Sequence, residues 1–426
     1  MNDMTRRKFI KNSATAGAFT IVSPSVAFGS KANSAINMGI IGCGGRGTGV
    51  ISSMSNHANV NIMAMADLFS DKLVSSKVSL DAQNKKKGFS TIANSNTHVG
   101  SNAYLELLNN KDIDAVLISS PAYTHADYME AAALAGKHIY CEKPVSPDVA
   151  GCRKMEKVGK RFDKKLSMTI GFQIRYATPY VQMVEHIHNG AIGKVLSAQL
   201  YYLSTQLNVV DTSGKSYDEN RIRNQYHFHA LSGGTLLDQS IHMLDVCNWA
   251  LQERPNSAIA VGGVDASQKY GDTWKHFQVA YEYPSTNVIL QATQYGKAWG
   301  GVCAKFIGTD GIAEAYYSGG VFISGKNKWD SGVLKCGSTE ISAEQRRAGA
   351  FSSSLHDADK NKGAAFIKSI ETGNYLNDTF SGVASTLSAI MGREAAMSGK
   401  QIKWDDLRFS SQRLDPKLNL SQFDNN

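Results

Sequence analysis

The stretch that most constrains this chain is Asn37–Gly47, read together with Asp67. Met38 to Ile41 is a short apolar run that breaks into Gly42-x-Gly44-x-x-Gly47. Asn61 to Ala66 predicts a second buried strand, ending at Asp67, 25 residues beyond Gly42. A strand, a glycine turn, a helix start and an acid closing the next strand make up the dinucleotide-binding arrangement. Gly42 permits the tight turn, Gly44 lets backbone approach a pyrophosphate, and Gly47 lets the helix pack close to the strand. Gly45 and Arg46 complete the loop. Among 38 glycines the triplet alone would be weak; the flanking strand, helix and acid carry the reading. Asp67 falls where a carboxylate meets adenosine ribose hydroxyls and would repel a 2′-phosphate. The expected cofactor is therefore NAD. Arg46 could counter that repulsion, which leaves NADP as the alternative.

At 426 residues two domains are expected. A formal charge of +8, with no Lys/Arg run interleaved with aromatics, does not point to nucleic acid. Residues 1–29 read as a leader. Thr5-Arg6-Arg7-Lys8-Phe9 is a twin-arginine pattern, a mild apolar stretch runs from Ala14 to Val22, and Ser25-Val26-Ala27 offers a small-x-small cleavage site. The expected location is the periplasm, reached by export of the folded protein. That route favours a cofactor bound before export and held tightly, because the periplasm has no free NAD pool; a second substrate or an unseen redox partner would then recycle it. The six cysteines show no CxxC and no metal-ligand spacing, so buried single thiols are expected.

From 36 to 161 the pattern alternates strand and helix, as a parallel nucleotide-binding sheet requires. Ile113–Ile118 is a nearly continuous apolar run. Right-handed crossovers gather the strand C-termini, and with them Gly42–Gly47, Asp67, Ser119–Tyr123 and Glu142–Pro144, at one edge. From 162 to 407 the character changes to a second, α+β domain. A strand is expected over 165–171, a helix over 235–251, alternating strands over 277–283 and 288–295, and a hairpin turning at Asp310-Gly311. Residues 318–360 read as loop, and 408–426 as a C-terminal tail.

Three groups carry candidate chemistry. Glu142-Lys143-Pro144 follows a strand, and Pro144 allows a cis bond. The turn either brings the Lys143 ammonium to the nicotinamide face, where it would stabilise an alkoxide, or is a solvated loop. Asp238 and His242 lie four apart on the helix after Gly233-Gly234 and would share a face, with Asp245 one turn on. That pair is either a helix-face contact or an acid/base histidine oriented by a carboxylate. Tyr226-His227-Phe228-His229 offers two histidines without a neighbouring cysteine, which favours polar substrate contacts by Tyr226 and His227 over a metal.

Taken in order, these residues resemble the Gfo/Idh/MocA oxidoreductases, named for glucose–fructose oxidoreductase and inositol dehydrogenase. The resemblance spans Asn37 to Leu407. It is carried by Gly42–Gly47, Ala66-Asp67, Ser120-Pro121 with His125, Glu142-Lys143-Pro144, Gly171-Phe172-Gln173-Ile174-Arg175-Tyr176, Asp238-x-x-x-His242-x-x-Asp245, Gly308–Gly311 and Gly392–Ala395. It implies a Rossmann domain plus a domain with a large open, mostly antiparallel sheet that commonly mediates oligomers, here a homo-dimer or tetramer. It implies that Lys143, Asp238 and His242 are catalytic, with His242 the acid/base. Glu142 would reach the nicotinamide ribose, and Ser120, Pro121 and His125 would lie along the cofactor. Arg175 and Tyr176 would approach substrate.

The activity implied is oxidation or reduction of a secondary hydroxyl, C3 for a sugar, on a sugar, glycoside or inositol-like polyol. Two other readings share the residues: a redox-neutral glycosidase working by C3 oxidation, elimination and re-reduction, and a sugar-binding protein that keeps NAD structurally. The Tyr-Pro-Thr-His-Gly stretch of the exported N-acetylgalactosaminidase-like members is missing. Relatives near this branch often carry Glu at position 238, and Trp-Asp-His-Phe where this chain has Trp274-Lys275-His276-Phe277. Lys275 therefore bears on substrate preference.

Overall fold

In a computed structural model the described residues are 34–265, 268, 270–295, 301–333 and 354–424. The leader read over 1–29 and Cys336 lie outside them. The chain enters a six-stranded sheet through β1 (Ile36–Ile41), β2 (Val60–Asp67), β3 (Thr97–Val99), β4 (Ala115–Ile118), β5 (His138–Cys141) and β6 (Met168–Ile170), ordered β3-β2-β1-β4-β5-β6 and parallel throughout. All four residues of β4 are buried, because helices cover both faces of a parallel sheet. The helix Gly45–His57 starts directly after β1, and buries Val50, Ile51 and Met54 against it. The strand order reverses between β1 and β4, so their C-terminal ends open a crevice there.

The strand expected at 165–171 forms as β6, but in the first sheet, pairing Met168 with Ile139 of β5. The nucleotide-binding domain therefore runs past residue 161. The helix Val149–Arg161, capped by Asp148 accepting from Gly151 N–H (2.7 Å), carries the chain back to the sheet edge and leaves its next strand in parallel register.

The second sheet has nine strands: β7 (Val195–Leu203), β8 (Ser257–Gly263), β9 (His276–Glu282), β10 (Asn287–Thr293), β11 (Gly301–Gly308), β12 (Gly311–Tyr316), β13 (Val321–Gly325), β14 (Trp329–Asp330) and β15 (Ile402–Lys403), ordered β14-β13-β12-β11-β7-β10-β9-β8-β15. Every pair is antiparallel except β7–β10. β13 and β14 correct the loop reading of 318–360: Val321 and Ile323 alternate inward within a Gly/Ser-rich stretch whose composition hides them. The helices Ile241–Leu251 and Thr379–Ser398 cover one face, where the Tyr281 hydroxyl donates to Ser388 O (3.0 Å). The other face exposes Ile259, Val261 and Ile289.

Two later segments return to the first domain, so 162–407 is not one contiguous unit. The helix Ala358–Thr372 lies against Gly45–His57, and its Phe366 and Ile367 join the β1/β2 core. The stretch read as a tail is anchored along the first domain. Gln412 accepts from Val149 N–H (2.9 Å), Asp148 accepts from Leu414 N–H (2.9 Å), and Asp424 accepts from Ser101 N–H (2.7 Å). The five described cysteines are buried.

Candidate active site

The glycine loop forms the floor of a groove of about 260 Å³ at the crevice. Gly42 has φ +93°, and a Cβ there would lie 2.5 Å from Ser120 N; a Cβ at Gly47 would lie 2.2 Å from Gly42 O. A Cβ at Gly44 or at Gly45 would meet nothing within 4 Å, so the helix N-terminus stays open towards the groove. Asp67 accepts from Cys43 N–H (2.6 Å) and Phe69 N–H (2.9 Å). Burial pushes its carboxyl up, and those two N–H groups pull it back. Ser120 and Pro121 line the same groove, with Phe69, Tyr123 and Tyr128 as apolar wall. Open backbone N–H groups, an aromatic wall and a carboxylate at the end of β2 fit a dinucleotide.

Arg46 leaves the loop in the other direction. Its Nε lies 3.1 Å from Glu142 Oε1, its guanidinium meets both oxygens of Asp359 at 3.1 and 3.2 Å, and Nη2 donates to Gln173 Oε1 (3.0 Å). It does not line the groove, which corrects its reading as a loop residue able to receive a 2′-phosphate. Burial works against its charge, but Glu142, Tyr140 and Asp359 hold it protonated. Asp359 in turn falls to about 2, where Lys362 and Arg46 outweigh its burial.

A second cavity, about 280 Å³, adjoins the groove. Ser119, Ser120, Gln225 and Tyr226 line both. Around it stand Glu142, Lys143, His125, Asp238, His242 and Tyr226, all read from sequence, and Arg46, Gln173, Ser232, Gln225 and Tyr317 beside them. The Lys143-Pro144 peptide bond is cis. Both ring nitrogens of His125 lie against backbone carbonyls, Pro144 O at 2.7 Å and Ser120 O at 2.8 Å, which ties the Lys143 turn to the groove wall. The Lys143 ammonium donates to Asp238 O and stands 3.7 Å from Asp238 Oδ1.

His242 is 7% exposed and its Nδ1 has no hydrogen-bond partner. Burial, then the neighbouring Lys143, Arg46 and Lys362 cations, push its pKa well below the usual range, so the ring is neutral near pH 7. Asp238 does not orient it, contrary to expectation. Leu236–Ser240 is a π-helical turn preceding the α-helix Ile241–Leu251. The i, i+4 expectation presumed α-helical spacing, whereas here Asp238 faces Lys143.

Three residues read as substrate contacts lie elsewhere. Arg175 is held by Asp245 through Nε–Oδ2 (2.8 Å) and Nη2–Oδ1 (2.9 Å), and the Tyr176 hydroxyl donates to Asp378 Oδ2 (3.4 Å). Gln173–Tyr176 is a 3₁₀ turn, from which Gln173 reaches the cavity while Arg175 turns to Asp245 and Tyr176 to Asp378. His227 is buried edge-on to Tyr270, with Nε2 3.4 Å from Asn208 O. Lys275 is 1% exposed and donates to Thr273 Oγ1 (2.7 Å), so it does not form the cavity wall. Gln173 was within reach of the sequence, since it belongs to a motif already singled out. Tyr317, Gln225 and Ser232 have no local signal. The Gln173 amide donates to the Tyr317 hydroxyl (2.8 Å), a pair that offers donors and acceptors to a polyhydroxylated ring. Among the described residues no cluster of three or more His, Cys, Asp or Glu is arranged to hold a metal.

Known proteins repeat this plan. The aldose–aldose oxidoreductase of Caulobacter crescentus superposes with a TM-score of 0.65 at 18% identity, over 87% of this chain and 99% of that one. A levoglucosan dehydrogenase in complex with NADH and levoglucosan gives 0.65 at 19% identity, over the same shares. At such identities the likeness concerns the fold. In sequence, an inositol 2-dehydrogenase of Rhizobium meliloti is 34% identical over 186 residues, 44% of this chain and 48% of that protein. A myo-inositol 2-dehydrogenase of Thermotoga maritima is 26% identical over 55% of this chain and 61% of its own length. The chain thus spans about half to three-fifths of the curated relatives it matches. Residues 36–170 match the family model described as oxidoreductase family, NAD-binding Rossmann fold, and residues 180–314 match the GFO/IDH/MocA C-terminal domain. With both halves matched in order across the groove and cavity, the chain belongs to the Gfo/Idh/MocA oxidoreductase family.

Proposed function

We propose that this protein is an NAD-dependent dehydrogenase acting on a secondary ring hydroxyl of a sugar or inositol-like polyol, C3 in the case of a hexopyranose. The observation that carries this is the continuity of the two cavities: the wall residues shared with the nucleotide groove lead directly to Lys143 and His242. NAD supplies the hydride acceptor when bound in the groove. The neutral His242 imidazole accepts the hydroxyl proton. Lys143, fixed by the carbonyl and carboxylate of Asp238, stabilises the alkoxide as it develops. Gln173 and Tyr317 orient the ring through its other hydroxyls. The Asp67 carboxylate disfavours a 2′-phosphate, and Arg46, occupied by Glu142 and Asp359, does not offset it; both favour NAD over NADP.

The test is a panel of inositols, aldoses and glycosides, monitored by the absorbance of reduced nicotinamide and by identification of the keto product. His242→Ala should lower turnover by about 10²–10⁴-fold while leaving dinucleotide affinity within a few fold. Wild-type turnover in that variant would refute the assignment. Export by the leader and pairing of copies through the open sheet face with Ile259, Val261 and Ile289 belong to the same reading. Cell fractionation of an Arg6→Lys/Arg7→Lys variant tests the first. Solution mass after Val261→Lys tests the second.

A further inference from the structure

The nucleotide groove is crossed by chain from outside the nucleotide-binding domain. The helix Tyr217–Arg223 lies over its Asp67 end, where Ile222 and Arg223 form part of the wall. Arg223 clasps Asp71, just past β2, through Nη2–Oδ1 (2.7 Å) and Nη1–Oδ2 (3.0 Å). Its guanidinium stacks over Phe69 at 4.1 Å from the ring centroid, and its Nε is held by Glu219 at 2.8 Å. The segment 417–424 lies behind this helix. Asp218 accepts from Asn419 N–H (2.9 Å) and Gln422 Nε2 (3.1 Å). Phe423 packs edge-on to Phe69 at 5.3 Å, and Asp424 accepts from Ser101 N–H and Oγ beyond β3 (2.7 and 3.0 Å). Leu420 is thereby set into the groove wall.

From this arrangement we infer that Ile222, Arg223 and Leu420 are cofactor-retaining residues: together they form a strap over the adenosine half of the dinucleotide, so that it stays bound through many turnovers. The inference rests on the dinucleotide reading of the groove. Its physical content is a barrier to exit. A ligand floored by the glycine loop leaves past Asp67 only after the Arg223–Asp71 clasp opens, or after 417–424 lifts from Asp218 and Ser101. Each step exposes apolar surface of Phe69, Leu420 and Phe423 as well as breaking ion pairs and hydrogen bonds. Affinity changes of this kind fall mainly on the dissociation rate. A retained cofactor needs a second substrate or a redox partner to restore its oxidation state in place, which makes the strap a constraint on the catalytic cycle.

The experiment loads the full chain with NAD, adds an excess of fluorescent etheno-NAD, and follows exchange by rapid gel filtration. The wild-type protein should carry its dinucleotide through the column. Arg223→Gln and Asp71→Asn should each speed exchange about tenfold, as expected for loss of a two-bonded ion pair over a ligand exit. The double variant should be no faster than either alone, because the two side chains act as one clasp. Leu420→Ala should also speed exchange, through a separate arm of the strap. Asp71 is 58% exposed at its side chain, so Asp71→Asn keeps the fold, and an unchanged melting temperature of the cofactor-free protein verifies it. Exchange at the wild-type rate in Asp71→Asn and Leu420→Ala would overturn the strap. A wild-type protein that holds NAD yet is reduced by no sugar would refute the proposed activity and leave the strap standing.

Discussion

Lys275 should make the protein less stable than it would be with an apolar residue of the same length. Its side chain is 1% exposed, and its ammonium donates to Thr273 Oγ1. Burial lowers its pKa from 10.5 to about 8, against the pull of Asp238 and Asp272. Below pH 8 the folded protein therefore holds a buried cation that the unfolded chain would hydrate. At ~1.4 kcal/mol per pH unit, the gap between 10.5 and about 8 withholds roughly 3 kcal/mol. Between these values the unfolded chain binds the proton more tightly than the folded one, so this term makes stability rise with pH across that window. Lys275→Met removes the charge and retains most of the volume. It leaves Thr273 Oγ1 without its donor, which costs about 1 kcal/mol. The expected net gain at pH 7 is roughly 1–3 kcal/mol. Urea unfolding of both proteins at pH 7 and at several values up to 10.5 measures it. The difference between wild type and variant should shrink as pH rises through the window. An unaltered midpoint at pH 7, or a difference independent of pH, would refute the reasoning. Since Lys275 stands outside the cavity lining, the variant should also keep its KM; a large rise would return this residue to the substrate site.

Arg175→Met should destabilise by about 3–5 kcal/mol, because it strands the buried Asp245 carboxylate with Ser385 as a remaining donor; urea midpoints give the loss, and KM in the folded fraction should hold. Asp67→Ser should narrow the preference for NAD over NADP by about tenfold, read as a ratio of Kd values, the loss of one charge repulsion of about 1.4 kcal/mol. It should also cost about 1–3 kcal/mol of stability through the two N–H groups it now satisfies.

What could be read from the sequence was what local geometry determines. Gly42–Gly47 is legible because a strand, a tight turn and a helix start are contiguous, and the backbone itself is the binding element. Asp67, Ser120-Pro121 and Glu142–Pro144 are legible for the same reason: each ends a parallel strand, and strand ends share one edge of the sheet. Errors arose where the backbone departed from the two regular periods. The π-helical turn at Leu236–Ser240 turned Asp238 to Lys143 instead of His242, whereas Arg175 and Tyr176, placed at the substrate by the family resemblance, are taken up by Asp245 and Asp378. β13 was lost because two inward residues do not stand out among glycines and serines.

The remaining residues were hidden for a different reason. Arg46 looked like a phosphate ligand because it follows the loop glycines. Its direction is set by Asp359 and Glu142, 313 and 96 residues away, and Asp359 reaches it only because the helix Ala358–Thr372 leaves the second domain to pack on Gly45–His57. Tyr317 and the strap residues enter the site in the same way, along chain that returns from a distant part of the sequence. Such side chains owe their place to a long-range packing decision, and no window of adjacent residues contains it. The same returns make the site a joint property of both domains. Glu142 is supplied by the nucleotide-binding sheet, His242 by a helix on the second sheet, and Arg46 ties the first to Asp359 of the returning helix. A substitution that loosens that helix should therefore disturb the charge around His242 through Arg46, Asp359 and Lys362, with Lys143 itself unchanged.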